Sequence, residues 1–351
     1  MKTFYAGLEL ATTDFVICVV NQKGKVVFKR EGKSLEAEIL KAASEMSRQC
    51  QGDIILHVEV GDLVNWGRRL FKPFVKEIVV SVPRENHWIA HDPHKSDQHD
   101  ANKLATLCRT NQFKKVFFHE SEERREFKMV VQHYEEMTRE TTRIKGLIKA
   151  RLRAHDMIRK DSTVFHPDHR EAVLSQIKGE VSRECMIQLF CRLDSAKELR
   201  QRALDSMKKM SKRFPEVKLL MGIPGIRIIN ACRFVAYVQD PSRFPTAHAL
   251  WGYARLGVVQ PTSNGRPIGP KHLNQAGCGT LKDISHKTFR ACQRRSDNNL
   301  FKRTYNESLE RTHNDSHARL SVQRKVLAVM RAVWMTGTPY RDDLGWAKAA
   351  A

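Results

Sequence analysis

Between Glu122 and Ala154 apolar residues recur at helical spacing: Phe127, Val130, Val131, Tyr134, Met137, Ile144, Leu147, Ile148 and Leu152. The intervening positions are rich in Glu, Lys, Arg and Gln, which favour helix. One helix over this stretch extends about 50 Å, longer than a small domain is wide. Such a rod separates folded parts of a chain and needs a second helix to bury its stripe. His166-Pro167-Asp168 breaks the pattern, and Ala172–Phe214 resumes it as one or two helices, expected antiparallel to the first. Most charges on the pair belong to a solvated face. One end gathers Arg139, Arg143, Lys145, Lys149, Arg151, Arg153, Arg159 and Lys160, a basic surface suited to a nucleic-acid backbone.

The whole chain shares that bias. Its 351 residues carry a formal charge of +22, far beyond what solubility requires and suited to a polyanion such as nucleic acid. Eight cysteines are scattered without a CxxC pair, which predicts reduced, mostly buried thiols and an intracellular protein. The segment Met1-Lys2-Thr3-Phe4-Tyr5 leads straight into a strand pattern, so no signal peptide is expected. No membrane span is expected either; even Val326–Met335 contains Arg331.

Upstream of the rod, Phe4–Leu10, Phe15–Val20 and Val26–Phe28 read as a three-stranded meander. Ser34–Cys50 reads as a helix with Ser34 as its cap. Ile54–Val60 is an apolar strand carrying His57, Leu63–Phe71 a short helix and Glu77–Val82 another strand. This order is expected of a ribonuclease-H-like α/β domain. Glu9 then lies on the first strand and Glu59 at the end of the fourth. Asp97 and Asp100 stand one helical turn apart in Lys95-Ser96-Asp97-Gln98-His99-Asp100-Ala101, ahead of an apolar face of Leu104, Ala105 and Leu107. An isolated DxxD is as readily a solvated helix start. Four acids from three segments converging in one domain instead suit Mg²⁺ or Mn²⁺, and two such ions stabilise the attacking and leaving oxygens at phosphorus. His87, His91, His94 and His99 lie nearby but fit no usual zinc spacing.

Downstream, Leu219–Ile226 with its Gly222-Ile223-Pro224-Gly225 turn, followed by an apolar helix over Ile228–Val238, reads as helix-hairpin-helix-like. Such a turn lets backbone N–H groups approach a phosphate. The loop Pro261-Thr262-Ser263-Asn264-Gly265-Arg266-Pro267 follows. A serine there is ordinarily turn chemistry, but Arg266, Lys271 and His272 surround it with cations. A basic helix over Ser316–Thr336 with Arg319, Arg324, Lys325 and Arg331 extends the polyanion surface.

Three N-terminal pieces, Gly7-Leu8-Glu9, Val58-Glu59-Val60-Gly61 and Lys95-x-Asp97-x-x-Asp100-Ala101-x-x-Leu104-Ala105, resemble the RuvC-like domain of the DEDD transposases, the IS-one-ten and pilin-invertase (Piv) family. The succession from Ile223-Pro224-Gly225 through Asp240-Pro241-Ser242-Arg243-Phe244 to Gln260-Pro261 resembles the same family's second domain. One departure is Glu9, where the family usually has Asp; the extra methylene moves the carboxylate by about 1.5 Å.

The resemblance implies an α/β fold: an RNase H/RuvC-like domain at 1–118, a helical coiled-coil spacer at 119–214, a mostly α C-terminal transposase domain at 215–340 and a tail at 341–351. It implies Glu9, Glu59, Asp97 and Asp100 as catalytic metal ligands for Mg²⁺ or Mn²⁺, and Ser263, with Thr262 as the alternative, as nucleophile. The implied partners are donor and target DNA, an element-encoded bridge RNA acting as guide, and further copies of the chain as dimer or tetramer. The implied setting is the bacterial cytoplasm at the nucleoid. Arg143, Lys149, Arg151, Arg153, Arg266, Lys271, Arg324 and Lys325 are the expected nucleic-acid contacts. The rival readings are a metal-dependent nuclease or junction resolvase using the acids alone, and a nucleic-acid-binding relative with an impaired site. An actin-like sugar kinase shares a first strand like Ala6–Thr13 but lacks a second Asp-x-Gly phosphate loop.

Overall fold

Alternation of buried and exposed residues in the first third produces a mixed sheet. β1 (Thr3–Leu10), β2 (Asp14–Val20) and β3 (Val26–Lys33) are joined by short turns and pair antiparallel. After α1 (Glu36–Gln49), β4 (Asp53–Glu59) returns parallel to β1; after α2 (Val64–Phe71), β5 (Glu77–Ser81) adds parallel to β4. Among the described residues the sheet order is β3-β2-β1-β4-β5. The computed structural model describes residues 2–82, 96–119, 121–158 and 164–342. The chain divides into two units, Met1–Phe118 and His119–Ala351.

Two local expectations are corrected. β3 continues to Lys33, because β2 offers ladder partners as far as Asp14. Its extension is charged and exposed, which suits a sheet edge that must not recruit another strand. Ser34 does not cap α1. Its hydroxyl donates to the Ala11 carbonyl at 2.7 Å, and Leu35 occupies the cap position without a side-chain bond.

One face of the sheet packs Leu8, Ile17 and Leu56 against Ile39, Ala42 and Met46 of α1 and Leu70 and Phe71 of α2. The other face receives α3 (Asp97–Thr110). Gly7 allows that approach. A Cβ there would stand 2.0 Å from the Ala101 carbonyl oxygen and 2.6 Å from the Ala105 nitrogen, both backbone atoms. Gly7→Ala is therefore expected to force α3 outward and lower stability by at least the ~1–3 kcal/mol of ordinary overpacking. An unchanged urea midpoint would show that α3 does not seat on Gly7.

The second unit is mostly helical. α4 (Glu122–Ala154) packs along its length on α6 (Glu180–Ser211), with α5 (Arg170–Leu174) between them in sequence. The pair is antiparallel: Phe127, Val131 and Tyr134 share a cluster with Ala203 and Met207, while Ile144, Ile148 and Leu152 share another with Met186, Phe190 and Leu193. Leu147, assigned to the stripe, is 38% exposed, and Thr141 fills the seam instead, its hydroxyl donating back to the Met137 carbonyl. The first cluster is continuous with the C-terminal helices: α7 (Pro215–Leu220), α8 (Ile228–Val238), α9 (Ala247–Tyr253), α10 (Gly279–Gln293), α11 (Leu300–Thr312) and α12 (Asp315–Thr336). α12 is the core helix here, with Val322, Val326, Leu327, Val329, Met330 and Val333 fully buried. No helix among the described residues is long and apolar enough to cross a membrane.

Candidate active site and nucleic-acid interface

The acids are positioned by sheet register. β1 and β4 run parallel with Gly7 opposite His57 and Leu8 opposite Val58. Glu9 and Glu59 are the next residues on each strand. By alternation they share with Gly7 and His57 the face that α3 covers. His57 is completely buried and joins three elements: its Nδ1 lies 2.9 Å from the Leu104 carbonyl oxygen of α3 and its Nε2 2.8 Å from the Ser81 hydroxyl of β5. A carbonyl only accepts, so Nδ1 carries the proton and Nε2 accepts from Ser81. The ring also lies 4.3 Å, centroid to centroid, from Phe113.

Burial pushes His57 down from the ordinary 6.5 to about 4. The unfolded chain then binds the proton more readily, so this contribution is complete above about pH 6.5 and is lost as pH falls toward 4. Between pH 7 and pH 5 the loss is about 2 kcal/mol. Urea unfolding of wild type and His57→Gln at both pH values measures it: the wild type should lose about that much more than the variant. Equal losses would remove His57 as the cause.

Ser96 caps α3, its hydroxyl accepting from the His99 backbone N–H. Asp97 in the first turn is exposed, whereas Asp100 is only 4% exposed. Among the described residues Asp100 Oδ1 is buried without a hydrogen-bond partner, and Lys103 Nζ stands 3.8 Å away. A buried carboxylate oxygen so placed is a donor that a hard divalent cation would complete. The fit is carried by that one oxygen. Among the described residues no group of three or more His, Cys, Asp or Glu side chains is arranged to hold a metal ion. Glu9, Glu59 and Asp100 thus share one layer without forming a closed ligand set, and Asp97 stands at the solvent edge. His87, His91 and His94 lie outside the described residues; His99 is exposed on α3.

The serine segment, read from sequence as a loop, is a two-stranded ribbon. β6 (Val258–Val259) pairs with β9 (His272–Leu273), and further out β7 (Thr262–Ser263) pairs with β8 (Arg266–Pro267). Asn264 and Gly265 turn the tip with φ of 48° and 75°. Two successive left-handed residues are what a two-residue hairpin needs, and Asn-Gly is the pair that adopts them most readily. Ser263 is exposed directly opposite Arg266, and its hydroxyl has no hydrogen-bond partner among the described residues. Thr262 is equally exposed.

The expected nucleic-acid contacts divide into free and occupied groups. Arg151 and Arg153 on the last turn of α4, and Arg266 and Lys271 on the ribbon, are exposed and carry no ion pair among the described residues. Arg143 is held by Glu140 through two bonds of 2.8 Å. Lys149 Nζ lies 5.9 Å over the Phe165 ring. Arg324 is used inside the fold: it covers Trp251 and donates twice to the Leu256 carbonyl, at 2.9 and 2.7 Å. Lys325 is half-buried, which pushes its ammonium below the ordinary lysine value. Arg159 and Lys160 lie outside the described residues. The glycine of the Ile223-Pro224-Gly225 turn serves packing, since a Cβ on Gly225 would stand 2.7 Å from Cys292 Sγ and 2.8 Å from the Thr288 carbonyl oxygen.

One charged network was not read from the sequence. Arg233, 9% exposed, donates to Glu135 at 2.5 Å and to Asp283 at 2.7 Å, and the Tyr237 hydroxyl donates to Glu135 at 2.5 Å. It ties α4, α8 and α10 together. A lone arginine inside the apolar run Ile228–Val238 was the available signal.

The class of protein is a DNA transposase, an enzyme that cuts and rejoins DNA strands, and two family-model matches define it. Residues 6–155 match a DEDD-type model of the IS110 group described as Transposase, and residues 217–306 match the model of the Transposase IS116/IS110/IS902 family. Together the two matches span more than half of the chain, which belongs to this insertion-sequence transposase family. No curated protein matches it. The DEDD-type domain points to divalent-metal dependence, and the family to DNA as substrate.

Proposed function

We propose that the protein is a metal-assisted serine recombinase with a RuvC-like first domain. The observation that carries this reading is the placement of Ser263 at the tip of an exposed ribbon, opposite Arg266, with neither side chain bonded among the described residues. Ser263 Oγ forms an ester to a DNA phosphorus as the bond from phosphorus to one deoxyribose oxygen breaks. The serine proton leaves to solvent and the departing sugar oxygen takes one up. Arg266 holds the phosphate by charge-assisted hydrogen bonds. Because the ester keeps the phosphodiester energy, rejoining to a new strand needs no nucleotide hydrolysis. Asp100, with Glu9 and Glu59 in the same layer, would hold Mg²⁺ or Mn²⁺, whose charge favours an alkoxide and steadies the phosphoryl oxygens.

The free Arg151 and Arg153, with the +22 charge, support a second polyanion besides the substrate. A structured guide RNA encoded by the element fills that role, and the long helical pair suits assembly of dimers or tetramers. The test begins with protein purified from cells carrying the element's flanking DNA. A defined RNA should copurify, and adding donor DNA with Mg²⁺ should give a protein–DNA species that survives denaturing gels. Its peptide should map within Pro261–Arg266. Cleavage without that species would make water the nucleophile and the protein a metal-dependent nuclease.

A further inference from the structure

At the root of the ribbon, away from its tip, β9, α10 and α12 enclose a cleft of about 560 Å³. Its basic lining is Lys271, His272, Lys282, His286, His317 and Arg319, joined by Ser316 and Gln323, and no carboxylate is among the lining residues described. Arg319 is paired with Asp315, but the side chains of Lys271, Lys282, His286 and His317 have no ion pair or hydrogen bond among the described residues. Leu256 and Leu320 give the cleft an apolar floor. Lys271 and Lys282, both without a carboxylate partner among the described residues, make one rim of the cleft cationic. An apolar floor under a cationic rim suits a sugar-phosphate segment, with its sugars on the leucines and its phosphates against the rim.

The position of the cleft selects the strand. His272 pairs with Val259, four residues before Ser263 on the same ribbon. Gln260 and Pro261 interrupt the strand, so this is at most about 13 Å, or up to about four nucleotides along a duplex strand. We infer that the cleft binds the backbone of the DNA strand that Ser263 attacks, on one side of the scissile phosphate, and so sets where along that strand the serine acts. The inference rests on the serine reading above for the identity of the strand; phosphate binding in the cleft does not.

The test uses the full-length protein with a duplex of arbitrary sequence and with RNA of the same sequence. Lys282→Ala with His286→Ala should weaken DNA binding about five- to tenfold. It should also lower the slope of log K against log salt by about 1, as expected for one lost phosphate contact. Lys282→Arg alone should retain both, and the thermal midpoint of each variant should stay at the wild-type value. An unchanged slope, a loss confined to RNA, or a loss accompanied by a lowered midpoint that Arg does not rescue would each overturn the cleft's assignment. Should the slope fall as expected while wild-type protein forms no covalent adduct, the cleft would stand as a phosphate site and the serine reading would fall.

Discussion

Ser263→Ala is expected to reduce covalent protein–DNA adduct, and strand exchange with it, by at least about 10³-fold, because losing a nucleophile removes the chemical step itself. Stability should change by no more than about 0.5 kcal/mol, since the hydroxyl is exposed and bonds to nothing among the described residues. DNA and RNA affinities should also hold, because the backbone pairing of Ser263 with Arg266 does not involve the side chain. Thr262 precedes it and is exposed as well. Yet successive residues of a strand point to opposite faces. Thr262→Ala should therefore leave adduct formation near wild type, and a reversal of the two results would move the nucleophile to Thr262. Full cleavage by Ser263→Ala would end the serine mechanism altogether.

The second large effect is expected at Asp100. Asp100→Asn keeps the shape of the side chain and removes its charge, so it should cut strand cleavage at least about 100-fold with little change in DNA affinity. A separate readout follows the metal alone. Mg²⁺ should raise the thermal midpoint of the wild type in a concentration-dependent way and leave that of Asp100→Asn unmoved. Without Mg²⁺ the variant should be at least as stable as wild type, because a buried carboxylate oxygen that lacks a hydrogen-bond partner is destabilising. Equal Mg²⁺ shifts in both proteins would place the cation elsewhere.

Much of the fold was legible because its signals are local. The strand alternation of the first third, the stripe from Phe127 to Leu152 and the helix over Ile228–Val238 each follow from side-chain periodicity, which a folded neighbour only has to accept. Gly7 beside Leu8 and Glu9 was visible as a motif, but its reason, the Ala101 backbone against its Cα, was not. Asn264-Gly265 was legible as a turn; that it closes a ribbon depends on pairing four segments across it, which no single segment announces.

Charge was the least legible property, for a physical reason. Composition counts cations, whereas function needs those left without partners, and partners are chosen by tertiary packing. Arg324 was expected on a nucleic-acid surface and is instead spent on a carbonyl beneath Trp251, because α12 became the core of its unit. Lys282 and His286, expected from the sequence to extend the polyanion surface, line an open cleft. Asp97 and Asp100 are equivalent acids in a linear motif, but α3 seats on Gly7 with one turned inward and the other to solvent. By itself the sequence determined the order of elements in the first unit, the polyanion class of partner and a short set of candidate acids and hydroxyls. Which of those groups are buried, opposed or free was decided only by the tertiary structure, since desolvation and pairing depend on neighbours distant in the chain.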